Sequence, residues 1–90
     1  MASYKVDWKQ SAEKDLRKID RLRIRPIIEA VEALSNDPFP TGCRKLRATE
    51  HQYRIRVGHY RVIYEVEQIA GLVTIYHVRH RKDAYREVSR

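Results

Sequence analysis

Tyr53-Arg54-Ile55-Arg56-Val57, Gly58-His59, Tyr60-Arg61-Val62-Ile63-Tyr64 is the stretch on which the fold turns. Apolar or aromatic and cationic residues alternate with a period of two up to Val57, and the apolar run resumes after Gly58-His59. That pattern predicts two strands joined by a two-residue hairpin turn, with Gly58 at the first turn position of type II′. Counting outward from the turn sets Val57 opposite Tyr60, Arg56 opposite Arg61, Ile55 opposite Val62, Arg54 opposite Ile63 and Tyr53 opposite Tyr64. One face of the hairpin is then apolar and aromatic, and the other is cationic.

Like charges directly opposite on neighbouring strands destabilise a sheet by something near the ~0.2–1 kcal/mol that opposite charges gain. Glu65 is poorly placed to relieve Arg61, since four residues along a strand is ~13 Å at about 3.3 Å each. An external anion is the better partner for this face. A second cationic cluster, Arg79-His80-Arg81-Lys82, follows the last apolar run and leads to Tyr85. The plainer reading, a solvated basic face screened by salt, is weighed against this clustering and its aromatic backing.

The chain has 90 residues, enough for one domain (1–90) with a thin core. Lys and Arg number 19 against 12 Asp and Glu, a net charge of +7. That balance points first to nucleic acid and second to an acidic protein partner. Cys43 is the single cysteine, which excludes an internal disulfide and a cysteine-rich zinc site and agrees with a reducing compartment. Four scattered histidines without clustered carboxylates argue against a metal site, and no cofactor is expected. Neither a signal-like start nor an apolar run of membrane-spanning length is present, so the expected location is cytoplasmic, away from membranes.

Residues 4–8 alternate as a short strand. Trp8, Ala12, Leu16 and Ile19 recur at helical spacing and predict a helix over about residues 9–19. Asp20 is placed to cap a second helix carrying Ile24, Ile27, Ile28, Val31 and Leu34, which tolerates Pro26 only near its start and stops by Asn36. Residues 37–42 are dense in breakers and form a loop in which Phe39 plugs a core edge. Arg44-Lys45-Leu46 reads as an edge segment, residues 68–71 as a turn, and residues 72–78 as a last, central strand, near-continuous in apolar character. The fold class is α+β: two N-terminal helices on the aromatic side of a small antiparallel sheet, in the order β-α-α-β-β-β, with a short C-terminal helical turn and the arginine side open.

Lys45-Leu46, the run from Tyr53 to Glu65, and Val78-Arg79-His80-Arg81-Lys82-Asp83-Ala84-Tyr85 together resemble the RelE branch of the RelE/ParE toxins of type II toxin–antitoxin pairs. The similarity spans essentially the whole chain. The Tyr-Arg-x-Arg-Val-Gly-x-Tyr-Arg run marks the superfamily, and the His-Arg-Lys-Asp-x-Tyr ending favours RelE over ParE. The resemblance implies a metal-independent endoribonuclease that enters the ribosomal A site, touches ribosomal RNA, cleaves messenger RNA and is held in a hetero-oligomer by a cognate antitoxin. It also implies a catalytic set, whose positions here hold Arg54, Arg56, Arg61, Arg81 and Tyr85, with Arg79 and Lys82 added as RNA contacts. A ParE-like inhibitor of DNA gyrase without nuclease activity, and a degenerate toxin that only binds its antitoxin, are the other readings.

The implied reaction is attack of a 2′-OH on the adjacent phosphate. Where this chain has Arg54 and Arg56 the best-known RelE member has lysines, and an arginine stays charged, so Arg54 is a poor proton acceptor. Arg61 and Arg81 suit a clamp on the developing phosphate charge. His80 is the best acid–base group by type, or else a surface histidine beside Arg79 and Arg81. Tyr85 orients or protonates the leaving group, stacks on a base, or simply caps the core with a wet hydroxyl.

Overall fold

The computed structural model describes residues 3–47 and 49–82. It contains β1 (Lys5–Trp8), α1 (Gln10–Arg17), α2 (Arg21–Ala33), β2 (Arg44–Lys45), β3 (Gln52–Val57), β4 (Tyr60–Glu67) and β5 (Leu72–His80). The five strands form one sheet in the order β1-β5-β4-β3-β2. α1 packs on β5 and α2 on β3, so both helices cover one face of the sheet. No helix among the described residues is long and apolar enough to cross a membrane.

The hairpin is the one read from the sequence, pair for pair from Tyr53 opposite Tyr64 to Val57 opposite Tyr60. Gly58 has φ +62°, and no described non-glycine residue has positive φ. A positive φ at the first turn position with a negative one at His59 defines type II′. Asp20 caps α2 by accepting a hydrogen bond from the Leu22 N–H at 3.2 Å. Pro26 lies in the second turn, where its missing N–H leaves the Leu22 carbonyl without its usual donor.

The sheet is mixed rather than wholly antiparallel. β1 runs parallel to β5, with Lys5 opposite Leu72 and Trp8 opposite Ile75. Tight turns fix the directions of β3, β4 and β5 relative to one another, whereas β1 reaches β5 only through both helices, a connection long enough to permit a parallel pair. The edge segment after the loop is β2, paired with β3 through Arg44–Arg54 and Lys45–Tyr53. Residues 81–82 leave β5 in helical geometry; the remainder of the expected C-terminal turn lies outside the described residues.

The core gathers Ile27, Val31 and Leu34 from the α2 region, Ala12 from α1, and Ile55, Val62, Tyr64, Val66, Val73, Ile75 and Val78 from the sheet. Each fully buried aliphatic side chain contributes about 1.5–3 kcal/mol. Tyr64 is fully buried and its hydroxyl donates to the Pro38 carbonyl at 2.8 Å, tying the loop to the sheet. Phe39 meets Tyr53 edge-on at 5.0 Å, closing the core edge as expected.

Strict alternation along β5 would set Val73 and Ile75 on one face and Val78 on the other. All three are buried in the same core because the register shifts: Ile63 pairs with His77 and Tyr64 with Ile75, leaving Tyr76 as an extra residue. This β-bulge reverses the parity of everything after it. Its effect on the cationic face is large.

Candidate functional site

Two rows of side chains cross the sheet face turned away from the core. One is Arg56–Arg61–Arg79, contributed by β3, β4 and β5. The other is Arg44–Arg54–Ile63–His77, which adds β2. Neighbouring strands are about 4.8 Å apart, so five arginines share a small area. No described carboxylate lies within ion-pair distance of Arg44, Arg54, Arg56 or Arg61. Glu65 is occupied elsewhere, accepting from the Tyr76 hydroxyl at 3.1 Å. That bond, together with the burial that dominates, raises the Tyr76 pKa.

The arginine side is less open than the sequence implied. Arg56 is exposed and Arg54 half-buried, but Arg61 is only 4 % exposed. β4 is flanked on both sides, and Arg61 sits opposite Arg56 and Arg79 on the adjoining strands. Arg61 Nη1 donates to its neighbour's carbonyl, Tyr60 O, at a long 3.3 Å. A desolvated guanidinium with so weak a partner is costly, and a bound anion would offset that cost.

Beside these rows lies a groove of about 450 Å³. It is lined by Arg44, Arg54, Arg56 and Arg61 together with Ala30, Ala33, Leu34 and parts of the 37–42 loop. A lining of both cationic and apolar side chains suits a ligand with phosphates and flat bases.

Not all the predicted residues converge. His80 pairs with Tyr60, and Arg79 pairs with Arg61. His80 therefore lies on the face of Tyr60 and Val78, opposite to Arg61. Its ring meets Tyr60 edge-on at 5.4 Å and stacks with His59 at 6.2 Å, and its Nδ1 accepts weakly from the Lys82 N–H at 3.4 Å. Arg81 and Lys82 are exposed just past the strand, with the Arg81 N–H bonded to His59 O at 2.8 Å. Tyr85 lies outside the described residues. Among those described, no three His, Cys, Asp or Glu side chains gather to hold a metal.

Asp15 on α1 and His77 on β5 belong to no motif in the sequence. In the fold both reach Arg79. Asp15 Oδ2 is 3.5 Å from Arg79 Nε and 3.3 Å from His77 Nδ1. Nothing in local sequence could reveal this, since Asp15 and His77 lie 62 positions apart.

Comparison with known proteins places this geometry. Residues 6–85 match the family model described as ParE toxin of type II toxin-antitoxin system, parDE. The chain is 31% identical over 84 residues to the toxin RelG of Mycobacterium tuberculosis, covering 92% of this chain and 97% of that protein. Its fold is similar to the crystal structure of the toxin–antitoxin complex RelBE2 of M. tuberculosis, with TM-score 0.79, 28% identity and coverage of 90% and 94% of the two chains. An archaeal RelE–RelB complex from Pyrococcus horikoshii OT3 matches at TM-score 0.78 and 28% identity, covering 88% and 96%. A match over nearly the whole chain in sequence, and over the same extent in fold, makes this protein a member of the RelE/ParE superfamily of type II toxins.

Proposed function

We propose that this toxin is a ribosome-dependent endoribonuclease that cuts messenger RNA in the A site, acts in the cytoplasm and is restrained by a cognate antitoxin bound as a hetero-oligomer. The observation that carries the reading is Arg61, a buried cation flanked by two more and without a described carboxylate partner. Structural relatives solved as RelB–RelE complexes support the antitoxin.

In this mechanism the 2′-OH of one nucleotide attacks its own 3′ phosphorus while the bond to the 5′ oxygen of the next nucleotide breaks. The products are a 2′,3′-cyclic phosphate and a 5′-hydroxyl end, and no water is consumed. Negative charge grows on the non-bridging oxygens, where Arg61, with Arg79 and Arg56 beside it, stabilises it by fixed charge-assisted hydrogen bonds. Arg54 and Arg44 hold flanking phosphates, and Arg81 and Lys82 extend the basic path past the end of β5. Tyr85, a member of the catalytic set that the resemblance implies, takes the role of orienting or protonating the leaving group. His80, packed among aromatic rings on the other face, serves better as a stacking surface than as a proton carrier.

The family match, by its ParE description, favours a second reading, inhibition of DNA gyrase without cleavage of RNA. Primer extension on messenger RNA after induction separates the two. Cuts in the A-site codon register are expected; intact transcripts accompanied by DNA damage would replace the nuclease reading with gyrase poisoning, and the absence of growth arrest would mark a degenerate toxin.

A further inference from the structure

β1 ends at Trp8, opposite Ile75, so the last five residues of β5 have no strand neighbour on that side. α1 supplies the missing partners from its side chains. Ser11 Oγ donates to Tyr76 O at 2.6 Å, and the Val78 N–H donates to Asp15 Oδ2 at 2.9 Å. The same carboxylate oxygen faces His77 Nδ1 and Arg79 Nε, in a region where the side chains of Asp15, Arg79 and His77 are only 15%, 26% and 30% exposed. Arg79 Nη2 also lies 3.1 Å from His77 Nδ1. His77 Nδ1 thus lies between a carboxylate, which only accepts, and a guanidinium, which only donates. Asp15 thereby makes an ion pair with Arg79 at Nε, and His77 lies against Nη2, beside the cross-strand partner Arg61.

We propose that Asp15 is a positioning residue for the phosphate site: it touches no RNA but, through Arg79, sets the cation that flanks Arg61. This rests on the reading of the arginine rows as the RNA-cleavage site. Net charge and positioning make opposite predictions for Asp15→Asn. The substitution makes the protein one unit more cationic, which by itself strengthens attraction to RNA. Positioning requires the rate to fall nonetheless. Asparagine retains an oxygen for the Val78 N–H, so the α1–β5 contact survives while the charge at Arg79 is lost.

The test is single-turnover cleavage on programmed ribosomes by the full chain carrying Asp15→Asn, Arg79→Ala or both, with thermal melting alongside. The expected result is a kcat lower by about 10–10²-fold for Asp15→Asn, in the range that misplacing a reacting group costs. KM and melting temperature should stay near wild type, and the double variant should be no slower than Arg79→Ala alone, because coupled residues are not additive. A wild-type kcat in Asp15→Asn, or losses that multiply in the double variant, would overturn the proposal. Exchange of the Arg79 Nε–H with solvent, followed by NMR in the unmodified protein, needs no variant to fold: exchange as fast as that of exposed Arg23 also overturns it. Wild-type protein that leaves messenger RNA intact would instead remove the nuclease reading, and the exchange rate then decides whether Asp15 holds Arg79.

Discussion

Replacing Arg61 by methionine keeps most of its bulk and removes a charge that is 4 % exposed and poorly partnered. Desolvation sets the sign: exchange of buried charge for apolar volume is commonly neutral or stabilising by 1–4 kcal/mol, in the order of magnitude known for buried ion groups. Arg61→Met should therefore melt at or above the wild-type temperature while cleavage falls by ~10²–10³. A clear drop in melting temperature would show that Arg61 is structural. Tyr64 gives a prediction in pH. Burial foremost, then neighbouring Cys43, pushes its hydroxyl well above the ordinary value of 10.0. The folded state thus holds its proton where the unfolded state releases it, so this contribution is whole below pH 10 and declines as pH rises toward the folded value, by at most about 1.4 kcal/mol per unit. Tyr64→Phe should flatten that alkaline slope in denaturant titrations and, by losing the bond to Pro38, cost about 1 kcal/mol near neutrality.

Among the elements, β5 decides which basic residues meet. Its bulge at Tyr76 turns Val78 into the core, carries Arg79 to the Arg61 side and leaves His80 with Tyr60. Without the register shift, Val78 would pair with Arg61 and Arg79 with Tyr60, and Arg79 would leave the Arg61 face. The expected outcome is that His80→Gln slows cleavage by less than about tenfold and preserves its pH profile, against the ~10²–10⁴ lost with a true general acid or base. Single-turnover rates from pH 5 to 8 measure this; a flattened profile would return the proton role to His80. At the edge of the same strand, two α1 side chains replace ladder hydrogen bonds, so one helix both shields β5 and reaches the cationic rows.

For the whole molecule, the net charge of +7 is unevenly spent: five arginines occupy one sheet face, and the helices cover the other. If all five engage single-stranded RNA, log affinity should fall with log salt with a slope of up to about −3.5, from roughly 0.7 per phosphate neutralised. Binding measured between 50 and 300 mM salt, on the order used for such titrations, tests this. A slope near zero would detach the arginine rows from RNA. Cleavage should survive selective zinc chelation with magnesium retained for the ribosomes, because the proposed charge stabilisation comes from guanidinium groups.

The sequence by itself determined the hairpin, the Asp20 cap, both helices and the sharing of one face by Arg54, Arg56 and Arg61. Each rests on local rules: period-two alternation, a glycine able to take positive φ, and helical spacing between apolar residues. The resemblance in the runs 53–65 and 78–85 carried the family as well. What only the tertiary structure decided is long-range. The parallel docking of β1 follows from a connection too long to constrain direction, and the burial of Arg61 from its place on a strand flanked on both sides. The parity of Arg79 and His80 depends on a bulge forced by the need to bury Ile75 and Val78 together, and Asp15 meets Arg79 only because β1 is too short to cover β5, leaving an edge that α1 fills.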